Sequence, residues 1–145
     1  MQVAIKKLNE RAILPSYASE YAAGADLYAC LEKQITVQPH ETVLIPTGIA
    51  IELPVGYAGL IYARSGLATK KGLAPANKVG VIDCDYRGEV KVALHNHSNT
   101  PQTVAEGERV AQLVITPYLT AEFVERGELS QTVRGAGGFG STGSK

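Results

Sequence analysis

The sequence predicts an all-β fold built from many short strands. Three observations carry that expectation. Fifteen glycines and seven prolines are spread through the 145 residues, where they punctuate short apolar runs. Several of those runs alternate apolar and polar residues with the period of a strand. Helix signals are confined to one brief stretch. The length fits one domain. Hydrophobic residues make up 45% of the chain, enough for a core, which excludes wholesale disorder.

Val3 and Ile5 begin a first strand. Thr42 to Leu53 reads as two strands about a Pro46-Thr47-Gly48 turn. In the second, Ile49, Ile51 and Leu53 alternate with Ala50 and Glu52, so one face is expected to be buried. Leu60-Ile61-Tyr62-Ala63 is an apolar strand. Ser65 to Lys71 is the best helix candidate, with Ser65 as its cap and Gly72 as its end. Val90, Val92 and Leu94 alternate with Lys91, Ala93 and His95. Arg109 to Thr116 is a further strand, and Ala121 to Glu125 is a candidate for one more. No repeat or interdomain linker interrupts the series. Arg134 to Lys145 is the exception: with five glycines and almost no apolar residue, it cannot pack by itself.

Fourteen basic residues balance fourteen acidic ones. No global basic field exists to hold a nucleic-acid polymer, so any phosphate binding must be local. A net charge of zero also does little to oppose self-association. Cys30 and Cys84 form no Cys-x-x-Cys pair, and two thiols suit a reducing compartment. The segment Met1 to Lys7 lacks the apolar run of a signal peptide. No stretch approaches the roughly 20 apolar residues of a membrane span. The expectation is a soluble, intracellular, cytoplasmic protein with no membrane partner; a eukaryotic source would leave the nucleus open.

Five segments concentrate chemistry-bearing residues. In Ala23-Gly24-Ala25-Asp26-Leu27-Tyr28-Ala29, Asp26 is an acid among small and apolar neighbours. Alone, it reads as a turn or strand-start aspartate bonding its own backbone. Arg64-Ser65-Gly66-Leu67-Ala68 follows a strand and opens the helix. Free N–H groups at a helix start and a planar arginine fork both suit phosphate oxygens. A plain N-cap beside a surface arginine accounts for the same residues. In Asn77 to Glu89, Val81-Ile82 deliver Asp83 to a strand end, and Asp85-Tyr86-Arg87-Gly88 turns toward the Val90 strand. A carboxylate at the lip of a hairpin is placed to act as a base on water. Acids that merely satisfy turn N–H groups are the plainer alternative.

The fourth segment, Gly107 to Ile115, leaves the side of Gln112 open. If Val110 and Val114 face the core, its amide needs a partner. If Ala111, Leu113 and Ile115 do, Gln112 is simply exposed. The fifth is Arg134-Gly135-Ala136-Gly137-Gly138-Phe139-Gly140-Ser141-Thr142-Gly143. Its glycines let backbone N–H groups curl around phosphate oxygens, and Phe139, with no core to join, suits stacking on a base. A flexible tail is the plain reading. It is not a Walker A loop, because no Gly-Lys-Ser/Thr triplet is present. Two lures are set aside. His95-Asn96-His97 aligns two imidazoles with no third ligand nearby. Lys70-Lys71 reads as a solvated corner.

In this order, the five segments resemble the five motifs of the trimeric dUTPase family over nearly the whole chain. The most specific are Arg64 to Ala68, Gly80 to Glu89 and the Gly-rich end with Phe139. One departure is Ala63, where many relatives carry proline. The resemblance implies a jelly-roll-like β-barrel of the β-clip type over residues 1–133, a flexible lid over 134–145, and homotrimers whose active sites are shared between subunits. It implies hydrolysis of dUTP to dUMP and diphosphate by water attack on the α-phosphorus. That reaction limits uracil incorporation into DNA and supplies dUMP for thymidylate synthesis.

The resemblance also implies residue roles. Asp83 would be the catalytic base, and Asp26 would support the metal–water network without ligating the metal. Gln112 would lie near the catalytic water and phosphates, with Arg64, Ser65 and Gly66 on the phosphates. Mg²⁺ would be held mainly by triphosphate oxygens and waters, with no direct protein ligand. Asn77, Lys91 and the backbone of Gly80, Val81, Ile82 and Asp83 would read uracil. Tyr86 would pack beneath the deoxyribose and exclude a 2′-hydroxyl. Arg134, Phe139, Gly140, Ser141 and Thr142 would close over the nucleotide, with Phe139 on the base. A dCTP deaminase of the same superfamily would share the trimer and triphosphate site but needs its water beside the base. A non-catalytic nucleotide-binding relative typically lacks the acid or the lid. The Arg64 to Ala68 motif, Asp83 and the Phe139 tail favour the hydrolase over both.

Overall fold

A computed structural model describes residues 1–138. Its strands are β1 (Ala4–Lys7), β2 (Ser16–Tyr17), β3 (Ala25–Tyr28), β4 (Ile35–Val37), β5 (Thr42–Pro46), β6 (Ile49–Glu52), β7 (Tyr57–Tyr62), β8 (Leu73–Pro75), β9 (Gly80–Ile82), β10 (Lys91–Asn96), β11 (Gln102–Val104) and β12 (Arg109–Pro117). Helix α1 (Ser65–Lys71) lies between β7 and β8. The strands form four antiparallel sheets: β1-β6, β5-β10-β8, β11-β4 and β2-β3-β12-β7-β9. The sheets wrap one apolar centre, to which Leu27, Val37, Ile45, Ile49, Leu73, Leu94, Val104 and Val110 contribute fully buried side chains. The arrangement is jelly-roll-like, with four short sheets rather than one closed barrel.

The period-two runs behave as their spacing predicts. Val90, Val92 and Leu94 are buried while Lys91 is exposed. Ile49, Ile51 and Leu53 are buried while Glu52 is exposed, although Ala50 on the other face is covered too. Strands β5 and β6 do flank the Pro46-Thr47-Gly48 turn, but they pair with β10 and β1 rather than with each other.

Gly48 sits at φ 69°, in the left-handed region. A Cβ there would lie 2.8 Å from Cys30 Sγ and 2.9 Å from Ala12 Cβ. Burial pushes the Cys30 thiol pKa up, and Glu106 adds to the effect. Gly48→Ala is therefore expected to cost about 2–4 kcal/mol of stability, from backbone strain plus overpacking. Urea denaturation measures it, and an unchanged midpoint would contradict this packing.

Two expectations need correction here. Helix α1 is capped by Arg64, in extended backbone at φ −87° and ψ 126°, and no side chain caps it. Ser65 is the first helical residue instead of the cap. Gly72 ends the helix as expected, at φ 66°. The strand proposed for Ala121 to Glu125 does not form, and residues 118–138 carry no strand or helix. A lone extended segment has no backbone partner to hold it, and no strand among the described residues pairs with it. Leu119, Phe123, Leu129 and Val133 along it are almost fully exposed. No helix among the described residues is long and apolar enough to cross a membrane.

Candidate active site in two halves

The first half forms where β3, β12 and β7 lie side by side. Gln112 sits opposite Asp26 on one neighbour and opposite Tyr62 on the other. Facing residues in a ladder share a side of the sheet, so Asp26, Gln112 and Tyr62 share one face. Ala111 and Leu113 take the core side, which settles the orientation of Gln112. It is half-buried rather than simply exposed, and its Nε2 donates to the Ala63 carbonyl at 2.8 Å. Gly24 makes room for it: a Cβ there would lie 2.5 Å from Gln112 Oε1.

Asp26 is only 6% exposed. It does not bond its own backbone. Oδ1 accepts from Arg64 Nε at 2.6 Å, and Oδ2 accepts from Arg109 Nη1 at 3.1 Å. With Nε engaged, the two Nη groups of Arg64 make no hydrogen bond among the described residues. Asp26, Tyr62, Arg64, Ser65, Gly66 and Gln112 line a cavity of about 460 Å³. A Cβ on Gly66 would meet nothing within 4 Å. The chain itself thus gives no steric reason for glycine there.

The second half gathers Asn77, Gly80, Val81, Ile82, Asp83, Tyr86 and Lys91 around a cavity of about 320 Å³. Strand β9 ends at Ile82 and leaves Asp83 exposed just beyond it. The Tyr86 N–H donates to the Asp83 carbonyl at 3.2 Å, closing a turn. Arg87 Nη1 braces that turn by donating to the carbonyls of Cys84, at 2.7 Å, and Tyr86, at 3.2 Å. The Tyr86 ring lies so close over Gly88 that a Cβ there would overlap it. Its hydroxyl donates to the Glu89 carbonyl at 3.0 Å. The Glu89 carboxylate accepts the Gly48 N–H at 2.9 Å and pairs with Lys91 at 3.4 Å.

This segment is not the hairpin that the sequence suggested. Strand β9 pairs with β7, whereas β10 pairs with β5 and β8. The stretch 83–90 crosses between two sheets, because each strand buries its apolar face against a different neighbour. Strand β9 is an edge of its sheet, and half of its N–H and C=O groups have no strand to meet.

Among the described residues the two cavities share no lining residue. Ile61 lines the Asp83 cavity and Tyr62 lines the Arg64 cavity. As neighbours on β7 they point to opposite faces. Arg134 reaches neither half; its Nε donates to the Gly137 carbonyl at 2.8 Å. Phe139, Gly140, Ser141 and Thr142 lie outside the described residues. His95 and His97 pack edge-on with ring centroids 4.5 Å apart, and His95 Nδ1 lies 2.8 Å from Thr42 Oγ1.

A family model described as dUTPase matches residues 10–143. The chain belongs to the dUTPase family. Among its relatives, a deoxyuridine 5'-triphosphate nucleotidohydrolase of Hydrogenobaculum sp. is 53% identical over 145 residues, the whole of both chains. One from Desulfitobacterium hafniense is 49% identical over 144 residues, covering 99% of this chain and 95% of the relative. A glycine-to-serine variant of the dUTPase of Staphylococcus bacteriophage 80alpha, solved with dUpNHpp, has a TM-score of 0.88 at 28% identity over 98% of each chain. A variant of the dUTPase from phage phi11 of S. aureus, described with a structural Mg(II) ion, has a TM-score of 0.81 at 25% identity, covering 90% of this chain and all of that one.

Four residues of this dUTPase-family site escaped sequence reasoning: Gly24, Arg87, Glu89 and Arg109. For three of them the partner lies far along the chain. Arg109 meets Asp26 across 83 positions, Gly24 supports Gln112, and Glu89 meets Gly48 across 41. No local pattern encodes such pairs. Arg87 was within reach, since an arginine in a tight turn is placed to donate to the carbonyls beside it.

Proposed function

We propose that this chain hydrolyses dUTP to dUMP and diphosphate in a homotrimer, at sites that two copies build and a third closes. The observation that carries the shared site is the divergence of Ile61 and Tyr62 on β7, which turns the Asp83 cavity and the Arg64 cavity to opposite faces. A nucleoside triphosphate needs both chemistries at once, so the second must come from another copy. The exposed apolar residues between Leu119 and Val133 support association.

In this reading Asp83 takes a proton from water as the water oxygen bonds to the α-phosphorus. The bond to the bridging oxygen breaks, and diphosphate leaves with the electron pair. Arg64, held through Nε, turns its Nη groups to the phosphates beside Ser65 and the bare backbone of Gly66, offsetting their charge. Gln112 presents Oε1 to the water, accepting from one of its O–H groups, while Nε2 stays on Ala63. No cluster of three His, Cys, Asp or Glu forms among the described residues, and both oxygens of Asp26 are taken by arginines. That donor set fits Mg²⁺ held by substrate oxygens and waters, which the ion prefers. When bound, it neutralises phosphate charge.

The open edge of β9, with Asn77 and Lys91, reads uracil's alternating acceptors and donor. Cytosine would leave buried polar groups unpaired. Arg134 and residues 139–142 form the lid that orders on a neighbour's nucleotide. A cytoplasmic place suits both the substrate and the two free thiols. Tyr86, fixed by its bond to Glu89, leaves no room for a 2′-hydroxyl. Tyr86→Ala is expected to raise UTP use relative to dUTP about tenfold, the worth of one buried unpaired hydroxyl. An unchanged ratio of kcat/KM values would contradict the sugar gate.

Diphosphate release with Mg²⁺, measured side by side on dUTP, dCTP, UTP and dTTP, tests the function. Release from dUTP alone is expected. Ammonia from dCTP would point to a deaminase, and no release from any of the four would overturn the hydrolase.

A further inference from the structure

We infer that Arg109 is a positioning residue: through Asp26 it sets the direction of Arg64, and with its neighbour Glu108 it fixes both ends of α1. The inference rests on the hydrolase reading of the same cavity.

Its origin is a defect in the β3-β12 ladder. Leu113 faces Ala25, Gln112 faces Asp26 and Ala111 faces Leu27, but Tyr28 is then met by Arg109 and not by Val110. One extra residue therefore sits in β12. Without it, Arg109 would lie three positions from Gln112, on the core side with Ala111 and Leu113. With it, Arg109 shares the face of Tyr28 and Asp26. The consecutive burial of Val110 and Ala111, both at 0% exposure, is the same bulge seen from the core. Re-aiming a side chain is what such bulges do.

The re-aimed guanidinium completes a triad of two arginines about one buried carboxylate. A carboxylate as buried as Asp26 is costly unless its oxygens are paired. Arg109 takes Oδ2 and Arg64 Nε takes Oδ1, so the carboxylate cannot swing away from Arg64. Arg64 is in turn the N-cap of α1. At the other end Lys71, the last helical residue, donates to Glu108 Oε1 at 2.6 Å and to the Thr103 carbonyl at 3.1 Å. Glu108 Oε2 is itself fixed by the Ala105 N–H at 3.0 Å. Glu108, just before β12, and Arg109, its first residue, thus act on both ends of a seven-residue helix, Arg109 by way of Asp26 and Arg64. A helix of that length is far too short to hold its shape alone.

The test compares equilibrium binding of dUpNHpp and of dUMP, with Mg²⁺, to the full chain and to Arg109→Met, Arg109→Lys, Arg64→Met and the Arg64→Met/Arg109→Met pair. Arg109→Met is expected to weaken dUpNHpp about tenfold while dUMP changes less than about twofold, with Arg109→Lys in between. In the Arg64→Met background, Arg109→Met should add less than about twofold, because it acts only through Arg64. Independent, multiplying losses would mean that Arg109 touches phosphate itself and would overturn the inference. Equal losses for both ligands, or no loss, would overturn it as well. Should Arg109→Met not fold, Arg109→Lys carries the same comparison with an expected loss of about threefold. Wild-type protein that binds dUpNHpp no more tightly than dUMP would instead sink the hydrolase reading.

Discussion

Replacing Asp83 by asparagine is expected to lower kcat by about a hundredfold to ten-thousandfold, the usual worth of a general base, while nucleotide binding survives. Asparagine keeps the shape and hydrogen-bonding reach of the side chain but cannot accept the proton of the attacking water. The fold should not notice the change. Asp83 is exposed just past β9, and the turn after it is closed by backbone and by Arg87 instead of by the carboxylate. Single-turnover hydrolysis of dUTP, alongside titration with dUpNHpp, separates the two quantities. Near-normal turnover would remove Asp83 from its role.

Deleting Gly135 to Lys145 is expected to leave the oligomer intact and to lower kcat/KM by about a hundredfold. That corresponds to one base–aromatic stack plus phosphate contacts. Among the described residues the last strand ends at Pro117 and the core draws on nothing beyond Ile115. Truncation is therefore expected to leave the core intact. Sedimentation and steady-state turnover of the truncated chain check both halves of the prediction. Normal turnover would contradict the lid, and dissociation would show that the segment serves assembly instead.

Much of this molecule was legible in its sequence because the relevant physics is local. The alternation of Val90, Val92 and Leu94 fixes which face of β10 is buried, and Gly72 marks the end of α1 because the left-handed turn there suits glycine. Asn77, Gly80, Val81, Ile82, Asp83 and Lys91, which the resemblance assigns to the base, line one cavity. The misses share a cause. Strand pairing is a long-range matter, so the run from Asp83 to Glu89 looked like a hairpin although β9 and β10 belong to different sheets. The period along β12 did not tell which side Gln112 takes, and the bulge at Val110 breaks that period besides. Asp26 looked like a turn aspartate because its two arginines are 38 and 83 positions away. The apolar residues of 121–125 looked like a strand, but no strand among the described residues pairs with them.

The shared site is the centre of this account, and two inactive variants test it directly. Arg64→Met disables one cavity and Asp83→Asn the other. Each protein alone should turn over dUTP only weakly. Unfolded together in equal amounts and refolded as mixed trimers, they should recover about a quarter of wild-type activity. About one site in four then joins an intact Asp83 loop from one chain to an intact Arg64 pocket from another. A mixture no more active than the sum of its parts would mean that each chain completes its own site, and the division of the site between copies would be wrong.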